Sequence, residues 1–90
     1  MERKRSRTDI VHDMLESILL KGGKIKPTHL MYKANLSHIQ MNAYLEELMK
    51  KDLVAKIKEK NSNMIILTER GYEFRNKIKE IIEFERTFGL

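Results

Sequence analysis

The sequence contains no cysteine and no tryptophan, and only one proline and four glycines among its 90 residues. The missing cysteine excludes a disulfide framework, a thiolate metal site and a cysteine nucleophile. Long apolar runs are missing too, since the longest spans residues 64–67, whereas a membrane-spanning helix needs about 20 apolar residues. The start of the chain is basic, but Asp9 and Asp13 follow where a signal peptide would be apolar. We therefore expect a single small cytoplasmic domain with no membrane partner.

Motifs for catalysis and metal binding are also missing. The histidines His12, His29 and His38 have spacings that match no metal motif. No nucleophile elbow is present, and Gly22-Gly23 lacks the flanking residues of a phosphate-binding loop. The sequence therefore predicts no metal, no cofactor, no small-molecule substrate and no enzymatic activity.

The charge of the chain is positive and unevenly distributed. With 18 Lys and Arg against 13 Asp and Glu, the net charge is +5. Residues 21–60 contain nine lysines against four acidic residues, and residues 1–8 contain four basic residues against one acidic. A concentrated positive segment favours a polyanion such as nucleic acid, because neutralising phosphates releases their counterions. The alternative is that the lysines only keep a small protein soluble.

The first half of the chain predicts three helices. Apolar residues recur every three or four positions from Ser6 to Leu20, and Ser6 with Asp9 resembles a capping box. After Gly22-Gly23, residues 24–26 predict a short edge strand, and Pro27 begins a second helix that runs to Ala34.

A tight turn and a third helix follow. Asn35 tolerates the left-handed backbone of such a turn, Ser37 and Gln40 form a capping box, and Leu36 and Met41 a hydrophobic staple. The buried face is predicted to comprise Met41, Tyr44, Leu45, Leu48 and Met49. The outward face is then Ser37, His38, Ile39, Asn42, Ala43 and Glu46.

The second half predicts a hairpin and a last helix. Residues 53–58 and 64–67 are rich in β-branched and apolar side chains, and residues 59–63 form the turn. Thr68 caps a helix with Gly89 near its end. Its apolar stripe consists of Phe74, Ile78, Ile81, Ile82 and Phe88, widened by Tyr72 and Phe84. Since so small a monomer cannot cover this stripe fully, we expect a homodimer.

Three motifs carry a resemblance to a known family. Residues 28–37 fit T-x-x-M-Y-x-A-N-L-S, residues 44–48 fit Y-L-x-x-L, and residues 67–74 fit L-T-x-x-G-x-x-F. The chain resembles archaeal winged helix-turn-helix proteins along almost its whole length. Its basic start is most similar to the small chromatin-associated DNA-binding proteins of thermophilic archaea.

The resemblance implies an α+β winged helix-turn-helix that binds double-stranded DNA and dimerises through an antiparallel coiled coil of its last helix. The predicted organisation is a basic disordered tail at 1–5, the winged domain at 6–68 and the dimerisation helix at 69–90. The expected dimer interface is Tyr72, Phe74, Ile78, Ile81, Ile82 and Phe88.

Three segments are candidates for DNA contacts. On the third helix, Asn42 suits a bidentate contact to adenine and Ile39 or Ala43 a thymine methyl; the alternative packs Ile39 beneath the second helix or the hairpin. Tyr32 and Tyr44 are expected to be packed. The candidates are Ser37, His38, Ile39, Asn42 and Ala43 on the helix, Lys56, Lys58, Lys60, Asn61 and Asn63 on the hairpin, and Arg3, Lys4, Arg5 and Arg7 in an N-terminal arm.

Each basic segment has a simpler explanation as well. The hairpin lysines are also typical of a solvated edge strand, and the arm of a disordered tail. The function predicted from sequence is a dimeric transcription regulator, associated with the nucleoid. The alternatives are an architectural chromatin protein with little sequence preference, and a winged helix that binds another protein.

Overall fold

The computed structural model describes residues 5–89 and has the predicted α+β winged helix-turn-helix architecture. The elements in chain order are α1 (Arg7–Leu20), β1 (Lys24–Ile25), α2 (Pro27–Lys33), α3 (His38–Lys50), β2 (Val54–Glu59), β3 (Ser62–Leu67) and α4 (Glu69–Phe88). The prediction of a winged helix-turn-helix with a long C-terminal helix is confirmed. In the described part of the chain, no helix is long and apolar enough to cross a membrane.

The helices α1 and α3 begin with the same capping box, as predicted. The Ser6 hydroxyl accepts a hydrogen bond from the Asp9 amide at 3.1 Å, and the Asp9 carboxylate accepts one from the Ser6 amide at 3.0 Å. Ser37 and Gln40 repeat this pair at 3.1 and 3.0 Å. Each box satisfies amides that a helix start leaves without a partner, so both starting points are fixed locally.

A tight turn joins α2 to α3 and sets the direction of α3. Asn35 has φ +54°, in the left-handed region that asparagine tolerates. The Leu36 amide donates to the Met31 carbonyl at 3.0 Å, which ends α2. Leu36 and Met41 are both buried, as expected of a staple across the start of α3.

The three strands form an antiparallel sheet in the order β1-β3-β2. The strands β2 and β3 pair from Val54 opposite Leu67 to Glu59 opposite Ser62. Only two residues, Lys60 and Asn61, form the turn, and their φ angles of +48° and +64° suit a type I′ hairpin. The turn predicted at 59–63 is therefore too long, because residues 59 and 62 still pair.

One core joins all the elements, including the first half of α4. Met14, Leu15, Ile18, Leu30 and Ile65 are each 0% exposed. Together with the remaining buried side chains they form one cluster that extends to residue 78 on α4.

The start of α4 lies too close to the chain before β2 to accept a side chain. A Cβ on Gly71 would lie 2.1 Å from the Leu53 carbonyl oxygen, so only glycine fits there. The Arg75 guanidinium also donates to Glu16 on α1 at 2.6 Å. The first half of α4 therefore packs with residues 6–68 as one body. The boundary predicted at residue 69 separates two proposed roles and not two packing units.

Candidate nucleic-acid interface

The outward face of α3 is exposed at every position predicted to contact DNA. Ile39 is 82% exposed, so the alternative that packs it beneath α2 or the hairpin is wrong. The opposite face of α3 is anchored in the core by Met41, Leu45 and Leu48. The exposed candidates are Ser37, His38, Ile39, Asn42 and Ala43.

The Asn42 side chain is held by its neighbour one turn earlier. Its amide nitrogen lies 3.2 Å from Nδ1 of His38, within hydrogen-bonding distance. An asparagine amide has two N–H groups and a carbonyl oxygen. The contact with His38 uses one N–H, which leaves a donor and an acceptor for a bidentate partner such as an adenine edge.

The hairpin carries its lysines on the side that faces α3. Side chains two residues apart share one face of a strand, so Lys56 and Lys58 lie on the same face as Val54. Val54 is buried in the core, and α3 packs against β2. Asn63 lies opposite Lys58, and Lys60 and Asn61 form the tip. All five polar residues are exposed, and Lys56, Lys58 and Asn63 share the strand face of Val54.

The other face of the hairpin has a different character. Ile57, Met64 and Ile66 are half-buried there. Glu59 is the one acidic residue of the hairpin, and its carboxylate lies 2.6 Å from the Lys24 ammonium on β1. This ion pair neutralises its charge. The face that borders α3 is therefore basic and polar, and the outer face is apolar with a neutralised edge.

Two residues of the proposed N-terminal arm contact the protein itself. The Arg5 guanidinium donates to the carbonyls of Ala34 and Asn35 at 2.5 and 2.6 Å and forms an ion pair with Asp13 at 3.0 Å. In the structure these contacts tie Arg5 to the protein, and its predicted places in a disordered tail and in a minor-groove arm stay predictions.

The second arm residue, Arg7, also turns towards the protein. It forms an ion pair with Glu47, and its guanidinium carbon lies 5.8 Å from the centre of the Tyr44 ring. The Arg7 side chain is still 59% exposed, so its predicted contact with DNA stays a prediction. Arg3 and Lys4 lie outside the described residues.

Tyr32 on α2 is a further exposed aromatic side chain. This residue was expected to be packed, but it is 76% exposed in the last turn of α2. Leu30 and Ala34, four residues apart, mark the buried face of α2. Tyr32 lies halfway between them and so points away from that face. The helical spacing of Leu30, Tyr32 and Ala34 in the sequence therefore indicates an exposed Tyr32. A tyrosine hydroxyl is a common phosphate ligand.

The apolar stripe of α4 is only partly exposed. Ile78 is 5% exposed and belongs to the core. Its assignment to a dimer interface is corrected, because it has little surface left to bury. Ile82 is half-buried, and Tyr72 lies near Gly23. The exposed fractions of the other members are Phe74 40%, Ile81 53%, Phe84 55% and Phe88 65%.

A groove runs along α4 beside this stripe. It has a volume of about 250 Å³ and lies between the start of α1, the end of α3 and the middle of α4. Its apolar floor includes Val11, Leu48 and Phe74. At the far end of α4, the Phe84 and Phe88 rings lie 4.7 Å apart. Among residues 5–89, no group of three histidine, aspartate or glutamate side chains is arranged to hold a metal ion.

Comparison with known proteins identifies the class. The sequence profile of the winged helix-turn-helix family matches residues 4–86, and the chain belongs to that family. A search of curated proteins gave no significant match.

Solved structures with the same fold include two proteins of similar length. Sso10a-2, a DNA-binding protein from Sulfolobus solfataricus, has 24% identity and a TM-score of 0.84, with 93% of this chain and 85% of that chain covered. A winged-helix DNA-binding protein from STIV has 14% identity and a TM-score of 0.76, with coverages of 89% and 92%. The PcaV transcriptional regulator from Streptomyces coelicolor has 11% identity and a TM-score of 0.82, and the match covers 88% of this chain but 60% of PcaV.

Proposed function

We propose that this protein binds double-stranded DNA as a homodimer and acts as a transcription regulator at the nucleoid. The observation that carries the proposal is the single surface formed by the outward face of α3 and the lysine-bearing face of the hairpin. In helix-turn-helix proteins the second helix of the motif enters the major groove. Here that helix is α3, with side chains of small to medium size that fit between base edges.

The two parts of this surface have separate roles in the proposal. Asn42 provides a donor and an acceptor to a base edge, and Ile39 or Ala43 contacts a thymine methyl group. Lys56, Lys58 and Lys60 bind phosphates and fix the orientation of the protein. The α3 face supplies sequence preference, and the hairpin supplies affinity that depends on salt.

Dimerisation is the finer part of the proposal, and the second half of α4 supports it. Phe84 and Phe88 have more than half of their surface exposed on a helix whose first half is already packed. Adjacent exposed aromatic side chains are typical of protein interfaces. A dimer through α4 would present two copies of α3, which read half-sites about 34–36 Å apart when they occupy successive major grooves.

The test is binding to two duplex pools across a range of salt concentrations. One pool has random sequence and the other is selected from genomic fragments. The variant replaces three hairpin lysines by alanine: Lys56, Lys58 and Lys60. The matched control removes the same positive charge from α4 by replacing Arg70, Lys79 and Arg86 by alanine. We expect the salt slope to fall by about 2.7 for three phosphate contacts in the hairpin variant, and to change less in the control.

The same experiment separates the alternatives. A regulator binds selected fragments about 10³-fold or more tightly than random DNA. Equal and strongly salt-dependent binding to both pools would indicate an architectural protein, which the net charge of +5 favours. If the wild type binds neither pool, DNA binding is contradicted and a protein partner becomes the better hypothesis.

A further inference from the structure

The Arg5 side chain joins three separate segments of the molecule. It lies just before α1, and its guanidinium contacts Asp13 on α1 and the carbonyls of Ala34 and Asn35 at the end of α2. The two carbonyls are 29 and 30 residues away in sequence. The side chain is 31% exposed, so it is partly shielded from water by these partners.

The carbonyls that Arg5 binds are groups that need an external donor. Ala34 is the C-cap of α2 and Asn35 follows it, so both carbonyls lie beyond the hydrogen bonds of the helix, at the end that the helix dipole makes negative. A planar guanidinium suits them because it presents several N–H donors in a fixed geometry. Asp13 accepts from the same guanidinium nitrogen that donates to Ala34 and so holds the group in position.

The bound segment also determines where α3 points. Asn35 is the left-handed residue of the turn, and Ser37, two residues later, is the N-cap of α3. A shift of the backbone at 34–35 therefore moves the start of α3, where the proposed base contacts lie. We propose that Arg5 is a positioning residue for α3, which it orients by fixing the turn between α2 and α3 onto α1. This inference rests on the proposed DNA-binding function.

Two substitutions distinguish this role from a direct phosphate contact. Arg5→Lys keeps the charge but replaces the planar fork with a single ammonium group. A positioning role predicts roughly tenfold weaker binding to a selected duplex with an unchanged salt slope. Asp13→Asn has two opposing effects. Removal of a negative charge by itself strengthens binding to DNA, whereas loss of the ion pair that holds Arg5 weakens it. We expect Asp13→Asn to bind the selected duplex more weakly than wild type.

The matched control is Glu83→Gln, which removes one negative charge from the exposed side of α4. We expect this variant to bind DNA as well as wild type or slightly more tightly. If Asp13→Asn behaves like Glu83→Gln, or Arg5→Lys binds like wild type, the positioning role is overturned.

Hydrogen exchange without DNA tests the structural half of the inference separately. The Asn35 and Leu36 amides donate to Tyr32 and Met31 at 3.2 and 3.0 Å. In Arg5→Lys we expect both amides to exchange faster than in wild type. The turn after α1 is the internal control, since its Gly22 and Gly23 amides are bonded in the same way.

The two halves can fail independently. Unchanged exchange at Asn35 and Leu36 would overturn the positioning role even if the wild type binds DNA. The other outcome is that the two amides exchange faster in Arg5→Lys but the wild type binds no DNA. That result would contradict the proposed function and leave the role of Arg5 in fixing the turn intact.

Discussion

The outward face of α3 and the second half of α4 both expose large apolar side chains, but in different surroundings. Ile39 on α3 is 82% exposed, and its neighbours on the helix include the polar side chains of His38 and Asn42. Phe88 on α4 is 65% exposed and lies against the ring of Phe84.

This difference separates two kinds of partner. A major groove displays hydrogen-bonding edges together with isolated thymine methyl groups, so it matches a single apolar side chain among polar ones. A pair of adjacent aromatic rings matches the apolar surface of another protein. Such a surface offers few hydrogen-bonding edges, and contact with it removes a larger apolar area from water. The difference thus supports the proposal that α3 binds DNA and that α4 binds a second copy of the chain.

The largest expected effect separates the core part of the α4 stripe from its exposed part. Ile78→Ala removes a side chain that is 5% exposed, whereas Ile81→Ala removes one that is 53% exposed. We expect Ile78→Ala to lower the free energy of unfolding by about 2–5 kcal/mol. Ile81→Ala should lower it by less than about 1 kcal/mol at protein concentrations where the chain is monomeric. Urea denaturation measures both, and equal losses would show that the two positions are buried alike.

The next effect concerns self-association. Changing both Phe84 and Phe88 to alanine removes the most exposed aromatic pair of the stripe. Each side chain is worth about 1.5–3 kcal/mol when fully buried, so we expect the dimer dissociation constant to rise at least a hundredfold. Sedimentation equilibrium measures this constant. The control is Leu20→Ala, because Leu20 is 77% exposed but lies at the end of α1. Wild-type dimerisation in the double variant would contradict the role of α4.

A smaller effect is expected on sequence preference. Ile39→Ala and Asn42→Ala remove the proposed base contacts, and each should cost about 1–3 kcal/mol of preference for a selected fragment. Binding to random duplex should change little, because it depends on phosphates. Competition between labelled selected and random duplexes measures the ratio directly. A uniform loss on both duplexes would mean that α3 does not read bases.

The smallest effect compares the two capping boxes. Ser6→Ala and Ser37→Ala each remove one side-chain acceptor at a helix start, and each should cost about 1 kcal/mol of stability. Ser37→Ala acts directly at the start of α3, so it should weaken DNA binding more than Ser6→Ala does and by more than its stability loss explains. Thermal unfolding and anisotropy titrations of both variants make the comparison. Identical DNA binding by the two would mean that the start of α3 is not at the interface.

Local signals made most of the fold predictable. The two capping boxes, the left-handed Asn35 and the cap at Thr68 each depend on residues within a few positions of one another. Such signals need no knowledge of distant contacts, and all of them occur in the structure. The exposed face of α3 followed from the same helical periodicity.

Contacts between distant segments could not be predicted in the same way. Arg5 and Arg7 belong to a basic run that is typical of a DNA-binding arm, yet their partners are at Ala34, Asn35 and Glu47. Ile78 was grouped with the exposed stripe because periodicity alone does not show how far along α4 the packing against α1 extends. DNA contacts themselves stay predictions, since exposure permits a contact without specifying one.

The most direct test of the central claim is an NMR titration of the ¹⁵N-labelled protein with a short random duplex at low salt. The account predicts that the largest amide shifts occur at residues 37–43 and 56–61, with little change over 83–88. Shifts confined to α4, or no shifts at all, would contradict the assignment of α3 and the hairpin to DNA.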